Sequence, residues 1–198
     1  SAQRGCTRKM KLTAALCGLL LATPAVGAEI IVLASQQDPA VVVVRGHINP
    51  GDQDTFRQEA WWLRSAIIFL ESPGGSMRAS LGIGETIKRR QYETAVADGK
   101  TCTSGCALAW LAGSPRRMGR NARVGFHKPR VERTTNEVAV VYLPIIESYI
   151  RRLELSHSAY TLVTMAEPQS MTWLTQTTSI DYKVPYSELR RDQAFIYR

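Results

Sequence analysis

The sequence predicts an α/β fold with a mainly parallel sheet, and three observations carry that expectation. Unbroken apolar runs, valines 41–44 and the stretch Ile67-Ile68-Phe69-Leu70, suit strands buried on both faces. Segments with helical spacing alternate with these runs, the clearest being Met77, Ala79, Leu81, Ile83 and Ile87. The strands also leave through glycine-rich turns, above all Pro73-Gly74-Gly75. A length of 198 residues suits one real core, and no repeat or linker marks off a second unit. Residues 29–198 are therefore expected to form a single domain.

Within it, 29–34 and 40–47 read as β-branched strands. Asn49-Pro50-Gly51-Asp52 is a turn, and Asp52 or Asp54 is expected to cap a helix running through Trp61 and Trp62, two tryptophans assigned to core and interface packing. A strand at 65–70 ends in the Pro-Gly-Gly turn. The helix 76–90 follows, capped by Ser76, with Gly82 and Gly84 permitting close packing. A short strand at 94–97 precedes the small-residue elbow Thr101-Cys102-Thr103-Ser104-Gly105-Cys106, which opens a buried helix over 104–113. A strand at 122–126 delivers His127, 128–136 is a polar loop, 137–166 is one or two helices, and the chain from Trp173 is a less regular tail.

Residues 1–28 read as a targeting segment. Arg8, Lys9 and Lys11 form a basic start, 12–22 an apolar stretch, and Pro24-Ala25-Val26-Gly27-Ala28 a small-residue cleavage site. Met10 is a candidate start, which makes 1–9 an upstream extension. The apolar run is shorter than the ~20 residues a membrane span needs, and Pro24 interrupts it. Export to the periplasm or beyond, with cleavage after Ala28, is the expectation; contact with a membrane arises only if the leader stays attached. Cys17 follows Leu16, where a lipidation motif has a small residue.

Removing 1–28 takes away four basic residues and no acid, leaving 21 basic against 17 acidic, so the net charge falls from +8 to +4. The remaining arginine pairs are scattered, which argues against nucleic-acid binding. Of four cysteines, Cys102 and Cys106 remain. In an oxidising compartment they are a candidate disulfide; two small buried hydrophobes under the elbow is the equal alternative. No metal site is expected, since two cysteines without a nearby histidine do not complete one. No cofactor motif is present, including the phosphate-binding Gly-x-x-x-x-Gly-Lys-Ser/Thr loop.

Gly75 and Ser104, 29 residues apart, each supply half of an acyl-transfer site. A glycine turn lets backbone N–H groups face a developing oxyanion, and a serine at a helix start sits where negative charge is favoured. Each alone is an ordinary structural element: Pro-Gly-Gly is a common turn, Thr103-Ser104 a common cap, and a strand-end histidine more often structural than catalytic. His47 is a rival histidine, and His157 lies in a polar stretch expected to be exposed.

Taken in order, Ser72-Pro73-Gly74-Gly75, the elbow around Ser104, Leu111-Ala112-Gly113 and Ala122-Arg123-Val124-Gly125-Phe126-His127 resemble the Clp protease proteolytic subunit, over roughly 40–127. With the leader and the Cys-x-Ser-x-Cys elbow, the chain is most similar to an exported branch of the Clp/crotonase-like superfamily. The resemblance implies a ββα spiral core, Ser104 as nucleophile, His127 as general base 23 residues later, and Gly75 and Gly105 amides as the oxyanion hole, with Gly74 shaping the turn. The family's aspartate position, just before Trp173-Leu174-Thr175, falls at Ser170 and Met171, neither of which carries charge. Glu167 is the candidate substitute acid, with Asp181 beyond the segment. Lys128 as base in a Ser–Lys pair is disfavoured because it should point to the opposite strand face from His127.

The resulting expectation is an exported serine hydrolase acting on a peptide or other acyl bond, without cofactor. The alternative is an inactive Clp-fold binding or scaffold protein of the cell envelope. A crotonase-like enzyme for coenzyme A thioesters is disfavoured by export. Self-association through 137–166 is expected from the position of the family's assembly helix.

Overall fold

A computed structural model describes residues 27–33, 36, 38–129 and 137–189, with 137–141 as backbone alone. The leader expectation therefore falls outside the described residues apart from Gly27 and Ala28, as does the loop beyond Pro129. Among the described residues no helix is long and apolar enough to cross a membrane.

Six strands form the main sheet: β1 (Glu29–Val32), β2 (Ala40–Arg45), β3 (Ala66–Glu71), β4 (Glu93–Val96), β6 (Arg116–Met118) and β9 (Ser187–Glu188), in the order β1-β2-β3-β4-β6-β9. All pairs are parallel except β1 with β2, where Ile30 lies opposite Val44. The period-2 geometry of strands explains the unbroken apolar runs. Val42, Val44, Ile68 and Leu70 enter the main core with Ile83, Ile87, Leu108 and Trp110, while Val41, Val43, Ile67, Phe69 and Ala95 build a second cluster. Strand β2 stops at Arg45 rather than His47 because Gly46, at φ 90°, turns the chain.

The first helix, α1 (Asp52–Ala60), departs from expectation at both ends. Its cap is Gly51, at φ 103°, and the Asp52 carboxylate instead accepts from the amides of Ala28 and Asn49, at 2.8 and 2.7 Å. Trp61 and Trp62 lie beyond the helix and are 43% and 62% exposed, so neither is a core residue. The Arg90 guanidinium covers the Trp61 ring at 5.5 Å, which satisfies one face of that indole from outside the core.

Helix α2 (Met77–Arg90) agrees with expectation. Ser76 Oγ accepts from Ala79 N at 3.3 Å, and Lys88, Arg89 and Arg90 occupy the last turn, where cations suit the dipole. Gly84 is required by the buried Tyr149 hydroxyl, which would lie 1.8 Å from a Cβ there and donates to Leu108 O at 2.9 Å. Burial pushes the Tyr149 phenol pKa upward, so it is a neutral hydrogen-bond donor.

A second, three-stranded sheet holds β5 (Thr101–Thr103), β7 (Arg123–Phe126) and β8 (Thr172–Trp173). Strands of two or three residues are too short to show alternation, and their pairing comes from neighbours. Helix α3 (Gly105–Trp110) follows β5 and is shorter than 104–113. The segment 137–166 resolves into α4 (Glu137–Arg152) and α5 (His157–Thr164), separated where Glu154 takes φ 61°. The tail folds back as β8, α6 (Gln176–Asp181) and β9, with Thr175 and Thr178 closing a capping box at the start of α6.

Candidate active site

The strand ends of β3, β5 and β7 meet at one edge. Ser72 N donates to Thr101 O at 3.1 Å and Thr103 N to Ser72 O at 3.0 Å, tying the exit of β3 to β5. Parallel pairing of β5 with β7, Thr103 opposite Gly125, brings both carboxyl ends to the same side. In α/β folds that edge is where ligands bind, because the chain leaves it through loops rather than ladders.

Ser104 stands at φ 56°, ψ −124°, a conformation L residues rarely adopt and one that costs about 1–3 kcal/mol. Two main-chain bonds hold it there: Ser104 N donates to Gly125 O at 2.9 Å, and Ser104 O accepts from Leu108 N at 3.2 Å. Its hydroxyl does not cap α3, so the ordinary-cap reading does not apply. A disulfide between Cys102 and Cys106, with Cα atoms 5.3 Å apart, closes the elbow on either side of Ser104. A strained serine on a strand-to-helix turn presents its oxygen outward, as a nucleophile requires.

The glycine turn packs directly on this elbow. A Cβ on Gly74 would lie 2.7 Å from Gly105 N and 2.9 Å from Ser104 Cβ, and the residue takes φ 92°. Ile48 engages the peptide groups on either side of Gly75, donating to Gly74 O at 2.9 Å and accepting from Ser76 N at 2.7 Å. Alternation along an extended chain turns the Gly75 N–H away from Ile48. Among the described residues neither the Gly75 nor the Gly105 amide meets an acceptor. A Cβ on Gly105 would lie 3.6 Å from Gly75 N and one on Gly74 2.7 Å from Gly105 N, so the two amides are close neighbours next to Ser104. Two unpaired donors so placed can receive an anionic oxygen.

His127 lies just past the end of β7 and shares with Ser104 the wall of a cavity of about 830 Å³. Its Nδ1 is 2.5 Å from Lys128 O. A carbonyl only accepts, so Nδ1 carries the proton of that bond; in the neutral ring this leaves the lone pair on Nε2, the tautomer a general base needs. The acid is a different matter. Glu167 is 65% exposed and pairs with Lys128 Nζ at 2.5 Å; the structure does not bring it to the His127 ring. The same ion pair occupies the Lys128 ammonium. Strand β8 pairs Trp173 with Gly125 and Thr172 with Phe126, which sets Met171 next in line opposite His127. Met171 and Ser170 both line the cavity, and Met171 packs over Gly125, where a Cβ would lie 2.7 Å from its Cγ.

Sequence reasoning ranked His47 only as a rival to His127 and passed over Arg78 and the Lys128 carbonyl. His47 lines the cavity with Nε2 2.9 Å from where a Cβ on Gly75 would sit. Its position just beyond β2, which parallels β3, is the signal that places it at this edge. Arg78 lines the cavity too. The Lys128 carbonyl left no signal at all, because a main-chain acceptor carries no residue identity. His157 is exposed and stacks with Tyr160 at 5.4 Å between ring centres, away from this constellation.

No family model and no curated protein matches the chain. Among solved structures, a point mutant of ClpP1 from Listeria monocytogenes superposes with a TM-score of 0.55 at 20% identity, over 78% of this chain and 94% of that one. The mixed α/β architecture with a mostly parallel sheet is thus that of the Clp protease proteolytic subunit fold.

Proposed function

We propose that the chain is an exported serine hydrolase cleaving a peptide or other acyl bond. The observation that carries this reading is the uncapped, strained Ser104 beside two unpaired amides, those of Gly75 and Gly105, on a cavity that also holds His127. In the reaction, His127 Nε2 takes the hydroxyl proton as Ser104 Oγ bonds to the carbonyl carbon. The carbonyl oxygen becomes an anion held by the two amides. Collapse breaks the bond to the leaving group, which receives the proton from His127, and water repeats the sequence on the acyl-enzyme to release the acid and restore Ser104. The Lys128 carbonyl holds the imidazole tautomer without supplying charge. Turnover slower than that of a full triad follows. Export is part of the same proposal, supported by the disulfide, since such bonds persist in oxidising compartments.

A second reading, a non-catalytic binding protein on the same fold, is favoured by one observation: an uncharged thioether, Met171, opposite the histidine. Labelling with a serine-reactive fluorophosphonate separates the two. The hydrolase reading expects labelling of the wild type that Ser104→Ala abolishes; equal labelling of both proteins, or none, supports the binding protein.

A further inference from the structure

The cavity beside Ser104 is one-sided in charge. Among the described residues lining it, those able to carry charge are Arg78, His47 and His127, with no aspartate or glutamate. Arg78 is exposed and, among the described residues, has neither an ion pair nor a hydrogen bond. Of the cations close by, Arg57 pairs with Asp54 at 2.8 Å, Arg152 with Glu85 at 2.8 Å and Lys128 with Glu167, while the exposed Arg89 lines only the neighbouring cavity. Arg78 also occupies the first turn of α2, where acids are normally preferred and none is present. A residue placed against local electrostatic preference, on the wall of a cavity, is the kind of departure found where a ligand supplies the missing charge.

Resting on the hydrolase reading, we infer that the substrate carries a carboxylate, as an acidic acyl group or acidic peptide does, and that Arg78 receives it while the scissile carbonyl meets Ser104. A guanidinium matches a carboxylate with two parallel N–H donors, which fixes orientation as well as attracting charge. His47, at the Gly75 end of the same wall, adds a further donor and no competing negative charge. The volume of about 830 Å³ accommodates a drug-sized ligand or a short peptide segment.

The test uses two fluorophosphonate probes identical except for a terminal carboxylate in one and a carboxamide in the other. At low salt the carboxylate probe is expected to label Ser104 about twofold to fivefold faster, the range of one exposed ion pair. That advantage, read as the ratio of carboxylate to carboxamide rates within each protein, should shrink in Arg78→Gln and at high salt and persist in part in Arg78→Lys. Equal rates in the wild type, or an advantage that survives Arg78→Gln and high salt, overturn the carboxylate inference while Ser104 reactivity stands. Failure of both probes to label the wild type overturns the hydrolase reading and this inference with it.

Discussion

Met171 and His127 stand one residue beyond the last paired positions of β8 and β7, on the wall of one cavity. By register an uncharged thioether thus stands opposite the histidine that the proposed hydrolase uses as its base. Met171→Asp is expected to raise the rate of fluorophosphonate labelling at Ser104 by about tenfold to a hundredfold, part of the ~10⁴ that an acid contributes in serine-protease triads. A rate equal to that of the wild type, in a protein with unchanged circular dichroism, would show that the carbonyl of Lys128 already does all that a carboxylate here can do.

The disulfide encloses the elbow in a short loop, so its chain-entropy contribution is modest, about 2 kcal/mol. The double variant Cys102→Ala, Cys106→Ala is expected to lose about that much in urea unfolding and to label more slowly, because the backbone strain at Ser104 loses its clamp. Unchanged labelling with lowered stability would confine the bond to a structural role.

Ser80 is wholly buried with its hydroxyl unpartnered among the described residues, 2.2 Å from where a Cβ on Gly105 would lie. An unsatisfied buried hydroxyl costs about 1–3 kcal/mol, so Ser80→Ala is expected to stabilise the fold by about 1 kcal/mol. Gly105→Ala should destabilise it, and less so when combined with Ser80→Gly. Additive effects in that double-mutant cycle would show that the two positions do not touch.

Asp98 joins the turn after β4 to the turn before β7. Its carboxylate accepts from the Asn121 amide at 2.7 Å, and that bond, outweighing desolvation, holds the carboxyl below its ordinary 3.8. A depressed value means stabilisation that is complete above the ordinary carboxylate range and lost as pH falls through the lower folded value. The melting temperature of Asp98→Ala should therefore lie below wild type at neutral pH, with the gap closing below about pH 4. A gap that widens in acid would reverse the sign.

The long parallel strands and helix α2 were legible because each carries its own period and its own punctuation: Val42 and Ile68 repeat on one face, Ser76 caps, and the three basic residues close the helix. Short pieces carry no such signal. Thr101–Thr103, Arg116–Met118 and Thr172–Trp173 become strands only because a neighbouring edge offers their amides and carbonyls partners. Trp61 and Trp62 show the converse: bulk and apolarity suggested burial, yet the helix ends at Ala60 and leaves both outside.

By itself the sequence determined the order of strand and helix, the glycine turn and the serine elbow, since these depend on residues near in the chain. Only the tertiary structure decided what surrounds them. Cys102 and Cys106 are bonded, Glu167 is committed to Lys128, and His47 and Arg78 join the cavity of Ser104 and His127. Those outcomes depend on which strand edges pair and in which register, and pairing between distant segments is set by the packing of the whole core.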